Sequence, residues 1–202
     1  MNKFRLAALS LVLATGSWIL VFLVRPFNFW AMLSVSTLLL MMISFSVNRD
    51  KTSIHLTHQE LLLGVLSAVA LYLFFYAGFQ LTKASPTFSQ GITHVYDFRA
   101  GTPPLFIAIL LLFPISPSEE IYWRGLIQRR FMERIGGRAG FLLTASAYAL
   151  VHLPTLNLPL ILTALIGGLA WGYIYKITGS LVPTIISHVL FDLLIFVIVP
   201  FT

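Results

Sequence analysis

The chain has 202 residues, of which 58% are hydrophobic and 10% charged, with no cysteine and a formal net charge of +6. That balance lies outside the soluble globular range and reads as an integral membrane protein. It excludes disulfides and thiol catalysis. The positive charge needs no nucleic acid, because basic residues beside anionic lipid account for it and no basic stretch is interleaved with aromatics.

The opening stretch MNKFRLAALSLVLATGSWILVFLVRPF has the basic start and apolar run of a signal sequence. The run from Leu6 to Val24 is nevertheless long enough to span a bilayer, and no small-residue cleavage site follows it, so it is taken as the first span. Further spans are predicted at 29–47, 61–81, 104–128, 139–153, 159–175 and 181–199. Pro114 and Pro117 interrupt the fourth, which predicts a kink or a break and restart near Ser118, with Ser118 capping the new helix. The longest polar-leaning connection, Thr82 to Pro104, is expected to carry a short surface helix or a flap.

The expected fold is therefore an all-α, polytopic transmembrane bundle of seven spans. An eighth short helix could come from splitting span four or from residues 86–100. The whole of 1–202 is read as one transmembrane domain, in which 1–103 supplies spans without motifs and 104–200 carries the chemistry. With seven spans, Lys3, Arg5, Arg49, Lys51, Arg129, Arg130, Arg134, Arg138 and Lys176 fall on one side, and Arg25, Lys83 and Arg99 on the other. The positive-inside rule then puts the N-terminus in the cytoplasm, with the plasma membrane as the location if the source is bacterial.

Six ionisable residues cannot easily reach a membrane surface: Glu119, Glu120 and Arg124 in span four, His152 at the end of span five, and His188 with Asp192 in span seven. A charged residue near the middle of a helix costs roughly 2.5–3.5 kcal/mol to insert, so six in one small protein point to a shared site. Counted at about 1.5 Å per residue from the cytoplasmic ends, His188 lies on the order of 10 Å deep, and Glu119 and His152 on the order of 15–20 Å. A polar intramembrane cavity is expected there, among spans four to seven and open toward the cytoplasm. Glu120 and Arg124 are four apart and can pair, which leaves Glu119, about 100° round the helix, free to point elsewhere. His188 and Asp192 also share a face. His55, His58 and His94 fall in polar connections and are read as solvated. Gly167, Gly168 and Gly172 are read as close helix packing.

Each feature has a plain structural reading as well. Acids after Ser118 suit a first helical turn, His152 suits an interfacial helix end, and His188 with Asp192 suits a hydrogen-bonded pair that joins helices.

Taken in order, EEIYWR, YALVH and HVLFD resemble the E-E-x-x-x-R, F-x-x-x-H and H-x-x-x-[ND] motifs of the CPBP family, which contains the CAAX prenyl proteases and bacteriocin-processing or immunity proteins. The resemblance covers roughly Pro104 to Pro200. It implies an intramembrane endopeptidase in which Glu119 is the candidate base that activates water, with His152 and His188 as site histidines. Arg124 is the motif arginine, and Glu120 is read as structural, clamped to it. Two residues depart from the pattern. Tyr148 stands where Phe is usual and adds a hydroxyl that could reach the site. Asp192 stands where Asn occurs in eukaryotic members. An ionised Asp cannot donate to an oxyanion, so Asp192 must be protonated, orient His188 or help hold a metal.

Peptide hydrolysis needs a base, a donor or cation for the oxyanion, and an acid for the leaving amine; Glu119 and His188 could supply these. A zinc version stays open, with His152, His188, Asp192 and Glu119 as candidate ligands, although no H-E-x-x-H is present and the metal-free glutamate mechanism is favoured. The partners implied are the lipid bilayer and a membrane-associated protein or peptide substrate. A non-catalytic immunity or scaffold protein of the same fold, and a small transporter or proton relay, are the competing readings.

Overall fold

The computed structural model describes residues 3–48 and 56–201. Arg49, Lys51 and His55 lie outside the described residues. The described chain is helical, without strands: α1 Lys3–Val24, α2 Phe29–Val47, α3 His58–Thr82, α4 Pro86–Tyr96, α5 Pro104–Ile135, α6 Gly137–Leu150, α7 Leu158–Thr178 and α8 Val182–Ile198. Five of them, α1, α2, α3, α5 and α7, are long and apolar enough to cross a membrane, while α8 is apolar but shorter. The molecule's outer face is apolar: Leu9, Val12, Leu39, Phe45, Leu62 and Phe74 are exposed, whereas Glu119, Glu120, Arg124, His188 and Asp192 are buried. That inversion is what a lipid solvent demands, and it marks an integral membrane protein.

Local signals set most boundaries. Asn28 caps α2 by accepting from the Ala31 N–H at 3.1 Å, and Thr57 with Glu60 forms a capping box on α3. Asn157 caps α7 by accepting from the Leu160 N–H at 3.0 Å, while its amide donates to the Gly91 carbonyl of α4 at 2.8 Å. Gly179, at φ 68°, ends α7 in the left-handed conformation that glycine adopts without a steric penalty.

Of the kink or break expected near Ser118, the break does not occur. From Pro104 to Ile135 the chain stays helical, and the N–H that Pro114 lacks is absorbed by a widened π-turn at Leu111–Ile115. With no new helix end there is nothing for Ser118 to cap, and its hydroxyl lies 3.4 Å from the Met41 sulfur instead. The short extra helix is α4, in the long connection, and does not come from a split of span four. A second π-turn, Trp123–Gln128, follows the acidic pair, so Ser116–Tyr122 is set between two irregular turns.

α5 is the hub, packing against α1, α2, α6, α7 and α8. Gly140 lets α6 lie against α5, where any Cβ would strike the backbone of Phe131 and Met132. Helix ends meet in two groups. Phe4 rests on Phe131 with ring centroids 5.4 Å apart, and Lys176 lies over the Phe141 ring, which places the start of α1, the end of α5, the start of α6 and the end of α7 together. At the opposite end Arg25 lies over the Phe98 ring and Arg99 over that of Tyr96.

Candidate active site within the bundle

The faces of α5 divide the site into a support and a working surface. Ser116, Glu120, Arg124 and Gln128 recur every four residues and are all buried, forming a polar stripe along one face. Arg124 Nη1 donates to Glu120 Oε1 at 2.8 Å, and Nη2 reaches the Gly168 carbonyl at 3.3 Å. One turn on, Gln128 Nε2 donates to the Gly172 carbonyl at 2.7 Å. Two residues four apart on α5 thus grip two glycine carbonyls four apart on α7. The missing side chains permit the approach: a Cβ on Gly168 would stand 3.2 Å from the Tyr148 ring, and one on Gly172 would stand 2.9 Å from Gln128.

Glu120 Oε1 has a second partner, His188 Nδ1, also at 2.8 Å. The other nitrogen of His188 faces Asp192 Oδ2 at 3.3 Å, and the ring stacks on Trp171 at 3.8 Å between centroids. Asp192 Oδ2 in turn accepts from the Ser116 hydroxyl at 2.8 Å. His188 is therefore bracketed by two carboxylates, and ionised carboxylates only accept; the arrangement suits a ring with a proton on each nitrogen.

Glu119 points away from the stripe. Its Oε2 accepts from the Tyr148 hydroxyl at 2.7 Å; Oε1 has no hydrogen-bond partner among the described residues. Tyr148 is held from several sides: the Trp123 ring lies edge-on at 5.1 Å and the Arg124 guanidinium sits 5.1 Å above its ring. One turn along α6 and just past its end, His152 places Nδ1 2.8 Å from the Tyr148 carbonyl, and its Nε2 accepts from Trp18 Nε1 at 2.9 Å.

Glu119, Tyr148, His152, His188 and Asp192 line one cavity of about 160 Å³, with Glu120 and Arg124 behind them. The rest of the lining is aromatic and aliphatic, including Phe22, Phe29, Trp30, Phe98 and Phe196. This corrects the expected polar cavity. It is an apolar chamber with polar groups on one wall, because aromatic residues from the ends of α1 and α2 and from the α4 region complete it. Its position is also corrected. Phe22, Phe29, Tyr96 and Phe98 belong to the end that carries Arg25 and Arg99, so the chamber lies on the side away from the N-terminus. α4 forms part of its wall through Ile92, Val95 and Tyr96. The Tyr96 hydroxyl donates to the Ile195 carbonyl at 3.0 Å and accepts from the Phe201 N–H at 2.9 Å. Burial pushes this phenol up from its ordinary value, so it stays a neutral hydroxyl able to make both bonds.

As placed, the candidate zinc ligands do not fit a metal. A ligating imidazole must offer a free ring lone pair. His152 uses one nitrogen on a carbonyl and the other on Trp18, and His188 uses both on carboxylates. Among the described residues no three His, Asp or Glu side chains form a metal-holding group.

Sequence reasoning missed Ser116, Gln128, Trp18 and Trp171. The first two carried a signal, the four-residue polar stripe through Glu120 and Arg124. Trp18 and Trp171 carried none, since a tryptophan in an apolar span has many reasons to be there.

A family model described as type II CAAX prenyl endopeptidase Rce1-like matches residues 100–194, a range that holds Glu119, Glu120, Arg124, Tyr148, His152, His188 and Asp192. No curated protein and no solved structure matches the chain. The three motifs converge on one buried site inside the matched range, and over that range the chain is similar to the type II CAAX prenyl endopeptidases, which supports membership of the CPBP family.

Proposed function

We propose that the protein is an intramembrane peptidase that hydrolyses a peptide bond in a membrane-associated protein or peptide, with Glu119 activating water. The observation that carries this reading is the division of labour in the Glu119 carboxylate. Tyr148 anchors Oε2, while Oε1 has no hydrogen-bond partner among the described residues, on the wall of an apolar chamber. A buried carboxylate with one oxygen anchored and one available suits a general base.

In the proposed reaction Oε1 takes a proton from water as the water oxygen bonds to the scissile carbonyl carbon. The oxyanion is met by His188 Nε2–H, whose bond to Asp192, at 3.3 Å, is the longer of its two and the easier to exchange. Glu119 then passes its proton to the amide nitrogen as the C–N bond breaks, releasing an amine and a carboxylic acid, whose proton passes to the amine to leave an ammonium and a carboxylate. Glu120 and Arg124 fix His188 from behind. Every step uses side chains of this chain, and none is routed through a metal.

The chamber has about the volume of an apolar cavity known to hold benzene. It suits a substrate that places one bulky apolar group beside the scissile bond. In the topology that goes with this reading, α6 and α8 complete seven crossings. The N-terminus is cytoplasmic with Lys3, Arg5, Arg129, Arg130, Arg134, Arg138 and Lys176, and the chamber falls in the opposite half of the membrane.

The test is peptide cleavage by purified protein in liposomes, against single-span model peptides with varied apolar residues at the membrane border. The parent should cleave. Glu119→Gln, which cannot accept the proton, should lose about 100-fold or more in kcat with an unchanged melting temperature. Undiminished turnover in that variant would remove Glu119 as the base.

A further inference from the structure

His188 is held by its edges. Nδ1 meets Glu120 Oε1 at 2.8 Å and Nε2 faces Asp192 Oδ2 at 3.3 Å. The N–H groups of an imidazole lie in the plane of the ring, so these contacts fix where its edges sit and oppose tilting of its faces only weakly. The proposed reaction loosens the ring further. When Nε2–H exchanges Asp192 for the oxyanion, the bond to Glu120 is left to hold the ring from its edge, and a ring held at one nitrogen can swing.

Trp171 meets the face. Its indole stacks on the imidazole with centroids 3.8 Å apart and planes 19° from parallel, and a ring with a proton on each nitrogen is drawn electrostatically to an indole face. The indole is itself fixed. Its N–H donates at 3.1 Å to the hydroxyl of Ser187, the residue before His188 on α8, and the Phe191 ring stands across it at 5.9 Å. Gly167, one turn back on α7, makes the space. A Cβ there would stand 2.7 Å from the indole Cζ3, and its three nearest atoms all belong to Trp171. Gly168 and Gly172 admit side chains of α5 and α6, as the sequence reading of close helix packing expects, whereas Gly167 admits a side chain of its own helix.

We propose that Trp171 is the positioning residue that sets the plane of His188 and so aims Nε2–H at the oxyanion, and that Gly167 is there to admit its indole. The proposal rests on the peptidase reading of the site. A ring that tilts carries Nε2–H away from the oxyanion, and a misplacement of about 1 Å at a reacting group costs on the order of 100-fold in rate. The oxyanion exists only after water has added. The loss should therefore fall on kcat and on the binding of tetrahedral analogues, and spare KM for the peptide.

The experiment uses the liposome cleavage assay with melting temperatures in parallel. It adds the affinity for a phosphonamidate version of the model peptide, whose tetrahedral centre carries an anionic oxygen as the intermediate does. Trp171→Leu removes the face, and Gly167→Ala forces the indole to shift without altering any side chain used in the reaction. Each should lower kcat by about 30-fold or more and weaken the phosphonamidate by a similar factor, with KM within about threefold. Trp171→Phe restores an aromatic face and should recover kcat to within about fivefold of the parent. Glu119→Gln is the reference for a silenced site. If it is silent while Trp171→Leu and Gly167→Ala keep kcat within about threefold of the parent, the inference fails and the peptidase reading stands. An equal loss of affinity for peptide and phosphonamidate would also overturn it, since Trp171 would then only shape the chamber. A Trp171→Leu protein that does not fold leaves Gly167→Ala to give the same two readouts. Full activity in Glu119→Gln would instead strike the peptidase reading itself.

Discussion

Arg124→Ala tests whether the polar stripe on α5 is a structural clamp. Arg124 and Glu120 are 1% and 0% exposed, and both Arg124 Nη1 and His188 Nδ1 converge on Glu120 Oε1 at 2.8 Å. Removing one partner of a buried ion pair costs about 3–5 kcal/mol, mostly because the other charge is left uncompensated. Glu120 keeps His188, which argues for the lower end of that range. Against this, the guanidinium also lies 5.1 Å from the Tyr148 ring and 5.5 Å from the Trp171 ring, and desolvated contacts of that kind add about 2 kcal/mol. A loss near the middle of the range, about 4 kcal/mol, corresponds to a melting point lower by about 10 °C for a chain of this size. The assay is thermal unfolding in detergent, read as the fraction that remains monodisperse after heating. Glu120→Gln should do comparable damage by stranding Arg124. The double variant Glu120→Gln with Arg124→Met should recover part of the loss, since it buries no unpaired charge. An Arg124→Ala protein that melts within about 1 °C of the parent would refute the clamp, as would a double variant showing the full sum of both single losses.

Strong chelators are expected to leave cleavage unchanged, and metal analysis of the active protein should find no stoichiometric ion, because the ring nitrogens of His152 and His188 are already committed. Asp192→Asn should stay within about tenfold of the parent in kcat, since the amide oxygen can accept from Ser116 and from His188 Nε2–H while its N–H adds a donor for the oxyanion. Gly140→Val should cost about 3 kcal/mol or more, because the added carbons meet the α5 backbone, which cannot rotate away as a side chain would. Melting in detergent checks the last of these, and steady-state cleavage checks the other two.

What the sequence makes legible follows from cost. A charge inside a membrane is expensive enough to need a reason, so Glu119, Glu120, Arg124, His188 and Asp192 stand out in an apolar background, and i,i+4 spacing pairs two sets of them before any coordinates. Trp18 carries no such cost. Its bond to His152 joins positions 134 residues apart, and only packing reveals it. The side of the chamber was illegible for a related reason. Counting residues gives depth, but the chamber's location is fixed by Phe22, Phe29 and Phe98, apolar residues whose inward direction depends on how α1, α2 and the α4 region pack. Of the kink or break expected near Ser118, the break failed because a π-turn absorbs Pro114 without ending the helix.

Asp192 is a residue whose role depends on its neighbours in the fold. From the sequence it had three roles available: a protonated acid, a partner for His188, or a metal ligand. The Ser116 hydroxyl on Oδ2 and the His188 nitrogen 3.3 Å from the same oxygen favour the second, because an acceptor already taking one donor and facing another is arranged as a carboxylate. That choice affects the whole site. Glu119, Glu120 and Asp192 make three carboxyls against Arg124 and a doubly protonated His188, so the buried cluster carries one negative charge when Glu119 is ionised and none once it has taken the proton from water. In the proposed reaction, proton abstraction by Glu119 leaves the total charge unchanged and moves it from the carboxylate to the substrate oxyanion beside His188. An Asn at position 192 would instead balance the charges beforehand. Asp in place of Asn at this position therefore changes the charge around His188 and the oxyanion while nearly preserving the shape of the site.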